Sequence, residues 1–162
     1  MTGTTGGFVA NERSKTKTVD PKRIRIVVAE DDSALREAIV DALTLDGYDV
    51  TGVADGEALV DCVTQANPPI SLVLTDIHMP KRTGIEALIV ARALPDHIPV
   101  VLITGDTDKV THEMAHNLGA VGVLMKPFDG EDLRTIVAML TATPDGWTAS
   151  RRTKTSDLPP TS

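Results

Sequence analysis

The chain has 162 residues, enough for one domain of ordinary size with short extensions and too few for two. Hydrophobic residues make up 41% and charged residues 24%, a balance typical of a soluble globular protein. No apolar run approaches the ~20 residues that a membrane-spanning helix needs. The first twenty residues also lack the apolar segment that a secretory signal contains. The single cysteine excludes an intramolecular disulfide and a cysteine-based zinc site. We therefore expect a cytoplasmic protein.

The net charge of −7 is unevenly distributed. Residues 24–141 carry −11, whereas residues 1–23 carry +3 and residues 142–162 carry +1. Such an acidic segment repels the phosphate backbone of nucleic acids, which argues against direct DNA binding. An aromatic content of 2% also argues against a base-stacking surface. The acidic surface instead suits a cation or a basic protein partner.

Composition divides the chain into three segments. Residues 1–22 are rich in Thr, Gly, Ser and Lys and are predicted to form a flexible arm. Residues 142–162 are predicted to form a flexible polar tail, in which Trp147 either docks on the body or belongs to an ordinary loose terminus, the simpler interpretation. Residues 23–141 hold the periodic apolar patterns and form the predicted domain.

Within that domain, a short apolar run followed by an amphipathic stretch recurs five times. The runs occupy residues 24–29, 49–53, 72–75, 100–103 and 121–125. The third helix is predicted to start near Gly84, and the last amphipathic stretch carries an i, i+3, i+4, i+7 stripe of Leu133, Ile136, Val137 and Leu140. Ser33, Asp55 and Asp129 are candidate helix N-caps, and Gly47 is a candidate helix stop. Alternating strands and helices predict a doubly wound α/β fold with a parallel sheet covered on both faces.

Polar residues stand where the predicted strands end, the edge at which such folds bind ligands. They are Glu30, Asp31 and Asp32 after the first strand, Asp76 after the third, Thr104 after the fourth and Lys126 after the fifth. No glycine-rich phosphate loop occurs at these turns, which argues against a dinucleotide or P-loop site.

Carboxylates gathered at one edge call for a cation. Two carboxylates ~4 Å apart repel by about 4 kcal/mol at an effective dielectric constant of ~20. All the candidate ligand atoms are oxygens, which favours Mg²⁺. This ion commonly also binds phosphoryl oxygens. A phosphoryl group would complete the site, with Lys126 and the Thr104 hydroxyl holding its oxygens. Asp76 would then be the nucleophile that forms an aspartyl phosphate.

Four motifs in chain order carry a family resemblance. They are Glu30-Asp31, Asp76-Ile77-His78-Met79-Pro80 with Gly84, Thr104-Gly105, and Lys126-Pro127-Phe128. Together they resemble the receiver domain of bacterial two-component response regulators, over about residues 24 to 141. The resemblance implies a flavodoxin-like sheet of order 2-1-3-4-5 with five helices. It also implies Mg²⁺-dependent transfer of a phosphoryl group from a phosphohistidine to Asp76.

The resemblance also implies a role for each motif residue. The metal would be held by Asp31 directly, by Glu30 through water, by Asp76 and by the backbone carbonyl of His78. Thr104 would be the switch hydroxyl, Lys126 the phosphoryl-binding lysine, and Pro127 would follow it through a cis peptide bond. Asp32, one position past the acidic pair, is a weaker candidate ligand.

Three departures from the family pattern affect the predicted output. Val123 stands where the family often has an aromatic residue that moves with the switch hydroxyl, so output is expected mainly through the loop after the fourth strand and the fourth helix. Gly105 replaces a commoner alanine and adds backbone freedom. His78 and Asp106 occupy places that in this family tune the lifetime of the phosphate.

The prediction that follows is a stand-alone, single-domain response regulator rather than a conventional enzyme. Its expected partners are a sensor histidine kinase or a histidine phosphotransfer protein and a downstream protein target, without direct nucleic acid or membrane binding. The fourth or fifth helix could form a homodimer. One alternative is a phosphorylation-independent binding module. Another is an Mg²⁺-dependent phosphatase or phosphotransferase acting on small metabolites. The sequence shows no cap insertion or pocket-forming segment for a substrate, which argues against this alternative.

Two further features have simpler explanations than a site. His112 and His116 stand i, i+4 on a predicted helix, a spacing that can hold a transition metal, but no third ligand is evident and a solvated face explains them. Cys62 lies on an apolar helical stripe and is predicted to pack as core.

Overall fold

The computed structural model describes residues 23–105 and 109–142, without the side chains of residues 109–112. The elements in chain order are β1 (Arg25–Ala29), α1 (Ser33–Leu45), β2 (Asp49–Val53), α2 (Gly56–Thr64), β3 (Leu72–Asp76), α3 (Gly84–Ala93), β4 (Val100–Thr104), α4 (Lys109–Asn117), β5 (Gly122–Met125) and α5 (Gly130–Thr141). Predictions about the arm, Asp106 and Trp147 fall outside the described residues. No helix in the described part of the chain is both long and apolar enough to cross a bilayer.

The five strands form one parallel sheet in the order β2-β1-β3-β4-β5. This order confirms the predicted flavodoxin-like topology. The central strands β3 and β4 are buried along their whole length, as their continuous apolar runs indicate. The edge strand β2 is only partly buried, which explains its mixed sequence of Asp, Val, Thr and Gly.

Two apolar layers hold the helices against the sheet. On one face, buried residues of α2, α3 and α4 pack on the sheet, with Leu59, Leu88 and Ala115 as examples. On the other face, α1 and α5 pack through Ile39, Leu43, Leu133 and Val137. Cys62, predicted to pack as core, is half-buried and packs at the margin of the first layer. Ile136 and Leu140 of the predicted α5 stripe pack at the margin of the second layer rather than within it.

Local signals at the helix ends are confirmed with one exception. The side chains of Asp55 and Asp129 cap α2 and α5 by accepting backbone N–H bonds. Gly47 follows α1 with φ of +96°, a conformation that glycine adopts without steric cost. The prediction of Ser33 as the cap of α1 is wrong by one residue. The cap is Asp32, whose carboxylate accepts from the amide of Leu35, and Ser33 is the first helical residue.

Close backbone contact places α3 behind the end of β3. A Cβ built on Gly84 would lie 2.2 Å from the carbonyl oxygen of Asp76, and the amide of Gly84 donates to the carbonyl of Ile77. Any side chain at residue 84 must therefore push the backbone that carries Asp76. Glycine at this position of the motif keeps α3 close enough to fix the loop that follows Asp76.

We expect Gly84→Ala to lower the free energy of unfolding by about 2 kcal/mol, because relieving a backbone overlap of this kind costs about 1–3 kcal/mol. Gly105→Ala is the matched control, since its Cβ would meet the Lys126 side chain at an ordinary 3.6 Å. Urea denaturation of both variants checks the difference. Equal effects of the two substitutions would contradict the close contact at Gly84.

Candidate functional site

The register of the sheet brings the predicted site residues to one edge. Thr75 pairs with Ala29, so Glu30 and Asp31 follow β1 beside the point where Asp76 ends β3. Asp76 pairs with Ile103, which places Thr104 one residue further along β4. The amide of Lys126 donates to the carbonyl of Thr104 at 2.7 Å, which fixes the residue that follows β5. The carboxyl ends of four strands therefore meet here, as the sequence predicts.

Three carboxylates converge at this edge. Glu30, Asp31 and Asp76 each offer an oxygen atom, and these atoms all lie within 4.8 Å of one another. The Glu30 side chain is 1% exposed and the Asp76 side chain 8%, whereas Asp31 faces solvent. The cluster is therefore closed by the sheet on its inner side and open through Asp31.

Lys126 supplies the positive charge within the cluster. Its Nζ donates a 2.6 Å hydrogen bond to Asp76 Oδ2 and lies 2.9 Å from Glu30 Oε2. The second contact is an ion pair without the angles of a regular hydrogen bond, and Glu30 Oε2 accepts none elsewhere. One ammonium group thus faces two buried carboxylates.

These neighbours change the acid–base properties of two groups. Burial, reinforced by the nearby charge of Asp76, raises the pKa of Glu30, although the ion pair with Lys126 and the amide of Asp32 oppose this. Partial burial works to lower the pKa of Lys126, but the two carboxylates outweigh it and raise that pKa. Lys126 therefore stays charged at neutral pH, and Glu30 takes up a proton more readily than an exposed glutamate does.

Backbone contacts orient the reactive side chains. The amide of His78 donates to Asp76 Oδ1 at 2.9 Å, so each oxygen of Asp76 has a donor. The amide of Asp32 donates to Glu30 Oε1 at 3.1 Å. Arg36 donates to the carbonyl of Glu30 at 2.6 Å, a contact that no sequence motif indicates. The carboxylates are thus held in place before any ligand binds.

The remaining candidates are distributed as follows. Thr104 is fully buried at the end of β4. Asp32 does not belong to the cluster of three carboxylates, and its own carboxylate caps α1 instead. Lys126–Pro127 is a cis peptide bond, as the resemblance implies. His116 is exposed on α4, and the side chain of His112 lies outside the described ones. Within the described residues, the acidic cluster is the one group of three or more potential metal ligands.

The loop between β3 and α3 is anchored by contacts that the sequence analysis missed. Lys81, with φ of +69°, places its Nζ 3.1 Å from Asp55, the cap of α2. A Cβ on Gly56 would lie 2.2 Å from the carbonyl oxygen of Arg82, so α2 and the loop are in close contact. Neither contact has a local sequence signal, because the partners are about 26 residues apart.

The donor set of the cluster fits a hard divalent cation. All three candidate ligands are carboxylates, and Mg²⁺ prefers oxygen ligands and retains several waters. The open side at Asp31 leaves room for such waters, and the buried Glu30 Oε2 has no regular hydrogen bond to lose. Bound there, the ion would screen the repulsion among the acids and stabilise charge on a phosphoryl group.

A flavodoxin-like sheet with an acidic cluster and a lysine at its carboxyl edge is typical of one class of signalling domain. The response regulator receiver domain family matches residues 26–138. The chain therefore belongs to that family, whose members act with histidine kinases in two-component signalling.

Individual relatives agree with this assignment. The chain is 36% identical over 116 residues to the response regulator protein FleR of Pseudomonas aeruginosa, covering 70% of this chain and 24% of FleR. It is 34% identical over 115 residues to the DNA-binding response regulator MtrA of Mycobacterium tuberculosis, covering 71% of this chain and 49% of MtrA. The chain thus spans half or less of the length of these two relatives.

A solved structure gives the same fold. A response regulator receiver domain protein of Clostridium thermocellum is 27% identical to the chain. It superposes with a TM-score of 0.68, covering 72% of this chain and 93% of the other.

Proposed function

We propose that Asp76 is a phosphoacceptor and that its phosphorylation switches a protein–protein interaction. The donor would be a phosphohistidine on a sensor histidine kinase or a histidine phosphotransfer protein. The observation that carries the proposal is the convergence on Asp76 of Lys126 at 2.6 Å and two further carboxylates. Buried acids gathered around one lysine, at the edge where this fold binds ligands, favour a reactive site.

In the proposed transfer, an oxygen of Asp76 attacks the phosphorus atom. The bond between phosphorus and the donor imidazole nitrogen breaks, and the imidazole leaves with the electron pair. Water later attacks the same phosphorus atom, releasing inorganic phosphate and restoring the carboxylate. Turnover of this kind consumes only the protein's own phosphate, in keeping with a signalling phosphoacceptor.

Each neighbouring residue has a proposed part. Mg²⁺ would be held by Asp31, by Glu30 through water, by Asp76 and by the backbone carbonyl of His78. Lys126 already contacts Asp76 Oδ2 and would follow the charge onto the phosphoryl oxygens. Thr104, buried at the end of the neighbouring strand, would donate its hydroxyl to the same group.

The proposed switch is a change of populations. Moving an equilibrium from 1:99 to 99:1 needs about 5.5 kcal/mol of preference for one state. A doubly charged phosphoryl group that contacts Lys126, Thr104 and a cation is a reasonable source for much of this. Val123 is half-buried against the core, so we expect the change to spread through the β4–α4 loop and α4 rather than through an aromatic residue of β5.

The remaining parts of the proposal concern the whole protein. Residues 23–141 would be the receiver domain, with residues 1–22 as an arm and residues 142–162 as a tail. The protein would act in the cytoplasm on a protein target, without contacting nucleic acid or membrane. A homodimer through α4 or α5 is compatible with this scheme.

Asp76→Asn is expected to abolish phosphoryl uptake. The intact mass of the full chain would be measured after incubation with Mg²⁺ and acetyl phosphate. The wild type should gain one phosphoryl group, and EDTA should prevent the gain. Asp61→Asn, which neutralises an exposed carboxylate on α2, is the matched control and should gain the group normally.

Two results would replace the proposal. A wild type that gains no mass, although it is folded, would favour the phosphorylation-independent binding module. Catalytic release of phosphate from small phosphorylated metabolites, abolished by Asp76→Asn, would favour the phosphatase.

A further inference from the structure

A groove lined mainly by apolar side chains lies between β5 and α5. It has a volume of about 620 Å³, and its lining includes Val121, Met125, Pro127, Asp132, Met139 and Leu140. Met139 is 73% exposed although it lines this groove. We propose that residues 143–162 of the same chain fold back along α5 and seat Trp147 in this groove.

The sequence just after α5 is suited to a chain reversal. Helix α5 ends at Thr141, beside the end of the groove formed by Leu140 and Val121. After Ala142, residues 143–147 read Thr-Pro-Asp-Gly-Trp, and a Pro-Asp-Gly run is typical of a tight turn. A turn at Pro144–Gly146 delivers Trp147 to the last turns of α5, where Met139 stands.

The lengths of the two segments also match. From Thr141 back to Asp132, nine helical residues cover about 14 Å. In an extended chain, the four residues from Trp147 to Arg151 cover about 13 Å. A tail that places Trp147 near Met139 therefore brings Arg151 and Arg152 close to the beginning of α5.

Charge favours the tail over a second copy of the chain. The first turn of α5 and its cap carry Asp129, Glu131 and Asp132, and the nearest arginine of the helix, Arg134, is paired with Asp46 at 2.8 Å. Arg151, Arg152 and Lys154 of the tail complement these acids. A second copy would instead bring another body with a charge of −11 against them.

The groove also borders the phosphoacceptor edge. Met125 and Pro127, two of its lining residues, flank Lys126 in the chain. A seated tail would therefore cover the outer side of the segment that carries this lysine. The proposal does not depend on phosphorylation, since the groove and the tail are both present in the unmodified chain.

Trp147 is the one tryptophan of the sequence, so its fluorescence reports on the tail alone. The full chain is compared with a synthetic peptide of residues 142–162. We expect the chain to show blue-shifted emission and a several-fold smaller acrylamide quenching constant than the peptide. Met139→Lys should return both values towards those of the peptide. Met114→Lys is the matched control, because Met114 is 49% exposed on α4, across the sheet from α5, and should change neither value.

Three outcomes would overturn the proposal. The first is peptide-like emission and quenching in the full chain. The second is an equal response to Met139→Lys and Met114→Lys in variants that circular dichroism shows to be folded. The third is a quenching constant that rises towards the peptide value on hundredfold dilution, which would assign the protection of Trp147 to contact between molecules.

Discussion

Replacing Lys126 with glutamine is expected to lower the free energy of unfolding by about 2–3 kcal/mol at pH 7 in metal-free buffer. The substitution leaves Glu30 and Asp76, both nearly buried, without their shared cation. Removing one partner of a fully buried ion pair costs about 3–5 kcal/mol. The expected loss is smaller because Lys126 itself is 28% exposed, so solvent already screens part of the interaction.

The dependence of this loss on pH distinguishes charge from packing. In the folded protein the pKa of Glu30 is already raised, and loss of Lys126 removes an interaction that lowers it. A carboxyl whose folded pKa lies above its unfolded pKa binds more protons in the folded state, so stability falls as pH rises through that window. The deficit of Lys126→Gln should therefore shrink as the pH is lowered from 7 to 5.

Lys81→Gln provides the matched control. Lys81 also faces two carboxylates, with Nζ 3.1 Å from Asp55 and 3.7 Å from Glu57. Its side chain is 58% exposed, and surface pairs of this kind contribute roughly 0–1 kcal/mol. Guanidinium denaturation of both variants at pH 5 and pH 7 tests the expectation. A loss at Lys126 no larger than at Lys81, or one that is independent of pH, would show that the buried charges are not what the lysine stabilises.

The parts of the fold that the sequence predicts correctly depend on local or repetitive patterns. The strand order follows from the family motifs, and the caps at Asp55 and Asp129 follow from a side chain that reaches amides only two or three residues away. The prediction for the cap of α1 is wrong by one residue because Asp32 and Ser33 are adjacent and both residue types are good caps. Only the backbone geometry decides between them.

The details of the site that escaped prediction depend on packing between distant segments. The motif positions place Glu30, Asp76 and Lys126 at one edge of the sheet. They do not indicate that the lysine pairs with both carboxylates at once. The contact between Arg36 and the carbonyl of Glu30 requires α1 to lie against the end of β1 in one orientation. Lys81 in a left-handed conformation follows a proline that gives no such signal. Patterns thus identify the members of the site, and tertiary packing sets their pairing.

Replacing Asp31 with asparagine is expected to weaken Mg²⁺ binding roughly a hundredfold, which corresponds to about 2.8 kcal/mol. Asp31 is the solvent-facing carboxylate of the cluster, and we propose that it binds the ion directly. At an Mg²⁺ concentration of about 100 times the dissociation constant, the ion should stabilise the wild type by about 2.7 kcal/mol. At that concentration, the variant should gain only about 0.4 kcal/mol.

With Mg²⁺ the Asp31 variant should be less stable than the wild type, but without Mg²⁺ this difference should disappear or change sign. Asp31→Asn removes one of three neighbouring negative charges, so the metal-free variant should be at least as stable as the metal-free wild type. A substitution that merely damaged the fold would lower stability in both conditions. Urea denaturation with and without Mg²⁺ separates the two cases, and phosphoryl uptake from acetyl phosphate should fall together with Mg²⁺ binding.

Asp32→Asn is the matched control for Asp31→Asn, because it makes the same substitution one residue further along the chain. It removes an equal charge from the same loop, but the carboxylate of Asp32 accepts from the amide of Leu35, and asparagine is an equally good cap. The Asp32 variant should therefore keep the stabilisation by Mg²⁺ that the Asp31 variant loses. If both variants lost it, the ion would respond to the total charge of the loop, and the assignment of Asp31 as a specific ligand would be wrong.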